Sequence, residues 1–173
     1  MIIDGLNTDR LESIVRKALS QCIATVKDNS TRAGQVATGK TLRSLEYTLK
    51  DSGTAYIARI LGRPYFGTLE TGRGPYRGGK GDPEGFNQRL IEWMKARGFS
   101  CRDDEEYRSM AHNLRWKINK FGTALYRKGG RKDIFTPAVA DLQEVLEKEL
   151  LMFFQHTVED MFTKGFQGFG RSL

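Results

Sequence analysis

The chain has 173 residues and a mass of 19.6 kDa, the size of one domain or of one domain with an extended arm. Its 28 lysines and arginines exceed its 21 aspartates and glutamates, and the net charge of +7 favours acidic partners such as nucleic acid. No run of about 18 apolar residues is present, and the first residues, MIIDGLNTDR, lack the basic and apolar regions of a signal peptide. We therefore expect no membrane span and no export, and we expect Cys22 and Cys101 to stay reduced.

The N-terminal part of the chain predicts a long helix. Apolar residues recur at three- and four-residue spacing from Leu11 to Val26, which indicates a helix over about 8–28. Residues 29–38 are small and polar, as in a loop. A short helical turn is expected from Thr41 to Ser44.

A β-hairpin is predicted next. Leu45, Tyr47 and Leu49 alternate with polar residues, and residues 51–53 (Asp-Ser-Gly) form a turn signal. The segment from Tyr56 to Leu61 then resumes in residues typical of strands. Residues 62–85 are rich in glycine, aromatic and basic residues, and we expect an exposed loop that is mobile unless a partner orders it.

Two further helices are expected in the middle of the chain. Asp82 followed by Pro83 is typical of a helix start, and Gly98 of a helix end. A second helix is predicted over 103–121, ended by Gly122. The segment 123–127 is expected to be extended.

The last predicted element is one long helix. Thr136 and Pro137 repeat the helix-start signal, and apolar residues follow at helical spacing as far as Phe162, which indicates a helix over about 136–164. Such a long helix is expected to pack along a sheet or line a subunit interface. Residues 165–173, with Phe166 and Phe169 among glycines, are expected to form a flexible arm that docks on a neighbouring protein.

The segment from Gly34 to Thr41 matches the phosphate-binding loop pattern G-x-x-x-x-G-K-[ST]. In that loop a buried strand leads into the first glycine, whereas residues 27–33 are polar here. No downstream strand ends in an acidic residue that could hold magnesium, and no series of βαβ units follows. A nucleotide-binding protein is therefore a less favoured interpretation than the two given below.

No other residues form a pattern typical of catalysis or metal binding. His112 and His156 lie in predicted helices without a cysteine or carboxylate at ligand spacing. The acidic runs 103–106 and 159–160 are interpreted as solvated helix faces. We therefore predict no catalytic residue, no metal and no cofactor.

Three segments in order resemble a known family. They are residues 37–45 (ATGKTLRSL) after the first helix, residues 65–75 (YFGTLETGRGP) after the hairpin, and residues 135–139 (FTPAV) at the start of the last helix. The set resembles the tail-completion or neck proteins of tailed bacteriophages, minor tail components at the head–tail junction. The resemblance covers roughly residues 5–75 and 130–160.

The resemblance implies an α+β fold, a small antiparallel sheet flanked by a long N-terminal and a long C-terminal helix, in a single domain over 1–164. It implies a ring of identical subunits in the virion, without catalysis, that contacts portal, adaptor or tail-tube proteins and surrounds passing DNA. Lys40 would then be a surface residue. Residues 82–122 depart from the family pattern as an inserted pair of helices.

From the second family segment and the arm we select six candidate interface residues: Tyr65, Phe66, Glu70, Arg73, Phe166 and Phe169. The main alternative function is a basic nucleic-acid-binding module, because of the net charge. Its weakness is that the basic clusters, 127–132 and the loop around Arg73, show no clear interleaving with aromatic residues.

Overall fold

The computed structural model describes residues 8–52, 55–76 and 82–169, with side chains described as far as Thr163. It confirms the α+β class: one two-stranded antiparallel sheet accompanies a set of helices dominated by long ones at both ends. In chain order the elements are α1 (Thr8–Arg32), α2 (Lys40–Arg43), β1 (Glu46–Asp51), β2 (Tyr56–Leu61), α3 (Thr68–Thr71), α4 (Pro83–Ala96), α5 (Asp104–Phe121), α6 (Ala124–Arg127) and α7 (Thr136–Phe169).

Helices α1 and α7 form an antiparallel pair. The Asn29 amide donates to the Ile134 carbonyl over 3.0 Å near the end of α1, and the Cys22 thiol donates to the Ala138 carbonyl over 3.4 Å. Near the start of α1, the Arg10 guanidinium lies 5.9 Å from the Phe153 ring centroid. The apolar stripe that predicted α1 is the face buried in this pair.

Helix α1 is longer than its apolar pattern predicts. It continues through residues 29–32, which we expected to be a loop. Ser30 and Thr31 donate their hydroxyls to the carbonyls of Val26 and Lys27 one turn earlier, and Arg32 pairs with Asp28. These bonds satisfy polar side chains within the helix, so polarity does not end it here.

The predicted hairpin is confirmed. Strands β1 and β2 pair in register from Glu46 opposite Leu61 to Asp51 opposite Tyr56. Ser52 closes the described part of the turn through its N–H to the Ala55 carbonyl at 3.0 Å, while Gly53 lies outside the described residues.

The main core lies where α1, the hairpin and the start of α7 meet. Its buried members are Cys22, Ile23, Val26, Leu45, Ile134 and Ala138. Leu42, Phe66, Leu69 and Phe135 pack against them from the connecting segments. This core contains residues from all three family-like segments.

Helices α4 and α5 form a second helical pair, as predicted, with a small core of their own around Leu90, Met94 and Ala111. The starts of the two helices are capped by carboxylates: Asp82 accepts the Gly85 N–H and Asp103 accepts the Glu106 N–H, both at 2.8 Å. The pair therefore folds around its own apolar residues and meets the rest of the chain through connecting segments.

Two expectations for the connecting segments are wrong. The segment 62–85 is not one exposed loop, because it contains α3, and Glu70 within α3 is buried. The segment 123–127 is helical rather than extended, since the Thr123 hydroxyl accepts the Tyr126 N–H and caps α6.

The last helix, α7, extends past the predicted end at residue 164 to Phe169. It therefore includes the first part of the segment expected to form an arm. The side chains of Phe166 and Phe169 lie outside the described side chains, and residues 170–173 lie outside the described residues.

Candidate functional site

Glu70 joins the second family segment to the third. Its Oε1 accepts the backbone N–H groups of Ile134, Phe135 and Thr136 at 2.8, 2.8 and 2.9 Å, and its Oε2 accepts the Thr136 hydroxyl at 2.5 Å. The first N–H groups of a helix have no partner within the helix. Glu70 supplies that partner for Thr136, the first residue of α7, and adds a negative charge at the positive end of the helix dipole.

The environment of Glu70 favours its ionised form. The side chain is only 3% exposed. Burial alone would raise the pKa of Glu70, but the hydrogen bonds from Thr136 and from the backbone N–H groups outweigh it and hold the pKa below its ordinary value. Glu70 has almost no surface to offer a neighbouring subunit, so we correct the expectation that it is an interface residue.

The backbone of Glu70 is held from the same direction as its side chain. The Arg131 N–H donates to the Glu70 carbonyl over 2.8 Å. Gly130 adopts a left-handed φ of 81°, and a Cβ there would lie 2.8 Å from the Glu70 carbonyl oxygen. Only glycine allows this approach without a shift. The Glu70 backbone therefore holds residues 130–131, and its side chain holds residues 134–136 at the start of α7.

The two aromatic residues before α3 face different environments. Phe66 is half-buried, and its ring centroid lies 5.4 Å from that of Phe135. Tyr65 is 52% exposed, with the Arg89 guanidinium 5.8 Å from its ring centroid. Of this predicted interface pair, Tyr65 offers the larger free surface and Phe66 serves mainly the core.

Arg73 connects the family segment to the inserted helices. Its guanidinium lies 4.0 Å from the Phe86 ring centroid and donates to Asn119 Oδ1 over 3.3 Å. Its backbone N–H and carbonyl both bond Thr123, at 3.0 and 2.8 Å. Burial, together with the charge of Arg89, lowers the pKa of Arg73. The guanidinium and backbone of Arg73 therefore already have partners within the chain, which leaves less of this residue for a neighbouring subunit.

The glycine before Arg73 fits a close approach of two backbones. Gly72 has a φ of 69°, and a Cβ there would lie 2.3 Å from the Tyr126 nitrogen. Any side chain would collide with α6. The glycines of the second family segment thus allow α3 and α6 to meet.

The phosphate-loop pattern lies in a setting that does not suit a phosphate. Helix α1, rather than a strand, precedes Gly34, and the Arg97 guanidinium donates to the Gly34 carbonyl over 2.5 Å. Lys40 Nζ lies 2.6 Å from Glu92 Oε2, in an exposed ion pair that holds the pKa of Glu92 below its usual range. The lysine that would reach a terminal phosphate is engaged by a carboxylate.

An apolar groove of about 680 Å³ lies between α4, α5 and α6. Its main apolar lining is formed by Phe86, Leu90, Trp93, Leu114, Ile118 and Phe121. The cations Arg73, Lys117 and Arg127 also line it, and none of the described residues that line it is acidic. Sequence analysis did not identify this groove, and the signal that could have indicated it is the pair of large aromatic residues Trp93 and Trp116 in the two predicted helices.

A second apolar surface covers the end of α7, and we call it the α7 strip. It consists of Leu151, Phe154, Val158, Met161 and Phe162. Their exposed fractions range from 44% to 64%. Phe153, at 2%, is the last fully buried side chain described in α7, and it lies beside Arg10 near the start of the described part of α1. Sequence periodicity did not separate this strip from the buried face of the same helix.

Within the described ranges, no three histidine, cysteine, aspartate or glutamate residues are grouped so that they could hold a metal ion. Likewise, none of the helices described has the length and apolar character needed to cross a membrane.

Comparisons with protein-family models, with curated proteins and with solved structures find no match for this chain. The resemblance to tail-completion and neck proteins therefore depends on the three segments themselves and stays a prediction.

Proposed function

We propose that this chain is a structural virion protein of a tailed bacteriophage. It is a ring-forming head–tail connector or tail-completion subunit that joins the portal or its adaptor to the tail. Its work is binding, sideways between identical subunits and axially to portal, adaptor or tail-tube proteins. It assembles in the host cytoplasm and surrounds passing DNA without a catalytic step.

The observation that carries this proposal is the meeting of the three family-like segments. Leu45, Phe66 and Ala138 come from different segments and contribute to one core. Glu70 of the second segment accepts the first two backbone N–H groups of the third, those of Phe135 and Thr136. The recognisable residues thus hold the hairpin, α3 and the start of α7 in fixed relation, as expected of a protein that acts through its shape.

The surfaces left over also suit an assembling subunit. Large apolar side chains are exposed on the α7 strip and in the groove between α4, α5 and α6. Contiguous exposed apolar patches are typical of protein–protein contacts. Tyr65 and the exposed edge of Arg73 remain our candidates for a lateral interface.

The proposal is tested by deleting this reading frame from the phage genome that carries it and supplying the protein from a plasmid. We expect unjoined heads and tails, or incomplete tails, by electron microscopy, and peptides of this chain in purified complemented particles. Complementation by Lys40→Ala should succeed and by Tyr65→Ala should fail, although both side chains are exposed. Normal particles without the gene would refute the proposal.

A second candidate function, a nucleic-acid-binding module, is favoured by one specific surface. On the exposed side of α5, Lys120 Nζ lies 4.8 Å from the Trp116 ring centroid and 5.2 Å from that of Phe121. Cations beside exposed aromatic rings are typical of single-strand binding surfaces.

Binding of labelled DNA to the isolated protein over a salt series distinguishes the two functions. A nucleic-acid module would show steeply salt-dependent binding, and Lys120→Ala would reduce the slope by about one. The structural proposal predicts weak binding that the substitution hardly changes.

A further inference from the structure

We infer that the α7 strip of one copy docks in the α4–α5–α6 groove of the next copy, so that identical chains join head to tail. This inference rests on the proposed function, because a ring of identical subunits needs a repeated contact of this kind. It names the two surfaces that make the contact.

The groove suits an occupant that is apolar and acidic. Phe86, Trp93 and Ile118 give it an apolar lining, and Lys117 and Arg127 place positive charge on it without an acidic residue among its described lining. A phosphate backbone would match the charges but would leave the apolar lining without a partner.

The end of α7 has both properties. Phe154, Val158 and Phe162 lie at four-residue steps and so share one face of the helix. Glu159 is adjacent to Val158 and flanks that face. The exposed Glu159 carboxylate lies 3.5 Å from His156 Nδ1, and Lys148 and Lys164 stand in the sequence on either side of the stretch 149–163. The apolar face therefore matches the apolar lining of the groove, and the Glu159 carboxylate beside it matches the cations there.

The two surfaces lie far apart in one chain. Arg73 lines the groove, and Glu70, three residues earlier, bonds Thr136, the first residue of α7, so the groove lies toward the start of that helix. The α7 strip extends to Phe162, about 40 Å farther along the helix at 1.5 Å per residue. A continuous α7 cannot return to its own groove, so the occupant is a second copy.

A contact between two different surfaces of identical subunits is heterologous. It closes into a ring when the rotation per subunit divides a full turn, and otherwise forms an open helical chain. The contact thus provides the lateral growth that a ring-forming subunit needs, and every subunit uses each surface once.

The inference is tested by cross-linking full-length protein in which Cys101 is replaced by serine. One batch carries Met161→Cys on the α7 strip, and the other carries Ala124→Cys, an exposed position on the groove. A short bis-maleimide linker should join the two batches when they are mixed at high concentration. Neither batch alone should form dimers efficiently.

Charge variants then identify the contact. Glu159→Lys in the Met161→Cys batch should lower the cross-linking yield roughly tenfold, since it opposes the cations of the groove. Glu144→Lys, the same change at an exposed site in the first half of α7, should leave the yield unchanged. Circular dichroism of each variant checks that the fold is retained.

Three outcomes would overturn the inference: no mixed product, a Met161→Cys batch that dimerises by itself, or duplex DNA that abolishes the mixed product by occupying the groove. Loss of the mixed product while the chain is still found in virions refutes this contact alone. A mixed product from a chain that is absent from virions refutes the proposed function and keeps the contact.

Discussion

The carboxylate of Glu70 offers the sharpest test of how this fold is held together. Glu70→Ala removes the acceptor of three backbone N–H groups and one hydroxyl. Hydrogen bonds to a charged group contribute about 1.5–3 kcal/mol each, and water can replace some of them at half-exposed Phe135 but not at buried Ile134. We expect the free energy of unfolding to fall by about 3–5 kcal/mol, a large part of the total for a domain.

Glu70→Gln tests the contribution of the carboxylate charge alone, because glutamine has nearly the same size and shape as glutamate. The amide oxygen still accepts the three N–H groups, and the amide nitrogen can donate to the Thr136 hydroxyl, so the geometry is preserved and only the charge is lost. A carboxylate near a helix start is worth about 0.3–1 kcal/mol when exposed and up to ~2 kcal/mol when partly buried. We expect a loss of about 1–2 kcal/mol at pH 7.

The same pair of variants predicts a pH dependence. The folded-state pKa of Glu70 lies below that of the unfolded chain. Its contribution to stability is therefore complete above pH of about 5 and is lost as the pH falls through the folded-state pKa. Glu70→Gln should remove this part of the acid sensitivity, so that its difference from the unmodified protein shrinks on acidification.

Urea unfolding followed by circular dichroism, repeated from pH 7 to pH 3, measures both effects. Glu144→Gln makes the same chemical change at an exposed site on α7 and should alter stability by less than about 0.5 kcal/mol. The reasoning fails if Glu70→Gln costs no more than this control at pH 7, or if its deficit stays constant down to pH 3.

Three further changes test other parts of the fold. Gly72→Ala should lower the melting temperature far more than Gly34→Ala, because both glycines have positive φ but only the first would collide with α6; equal shifts would contradict the close approach. Ile134→Ala should cost about 2–5 kcal/mol in urea unfolding, since Ile134 is fully buried in the main core, whereas exposed Val139→Ala should cost under about 1 kcal/mol. Lys40→Ala should leave stability within about 1 kcal/mol, and a fluorescent ATP analogue should bind neither this variant nor the unmodified protein; binding that the substitution abolishes would restore the nucleotide hypothesis.

The sequence predicted the elements that depend on neighbours along the chain. The cap at Asp82, the hairpin after Leu45 and the start of α7 at Thr136 all follow from residues within one or two turns, and the structure contains them. The segment 123–127 was missed although its cap is local, because the Thr123 hydroxyl that caps α6 is also held by the N–H of distant Arg73.

The candidate site was less accessible to sequence reasoning. Glu70 was selected, but as an interface residue, because its partners lie more than sixty positions later in the chain. No pattern of neighbouring residues can predict that a carboxylate accepts hydrogen bonds from the start of a helix far along the chain. The division of α7 into a covered and an uncovered part likewise depends on where α1 begins beside Phe153, which is a tertiary fact.

The antiparallel pairing of α1 with α7 also sets the order in which the protein can form. The contact that encloses the main core joins Cys22 to Ala138, so only the hairpin can cover α1 until residues near 138 have left the ribosome. Helices α4 and α5 depend on partners close in the chain and can fold earlier during translation. A nascent chain stalled before α7 would therefore carry one finished helical pair and an apolar helix covered only by the hairpin, which makes it a natural target for chaperones and proteases.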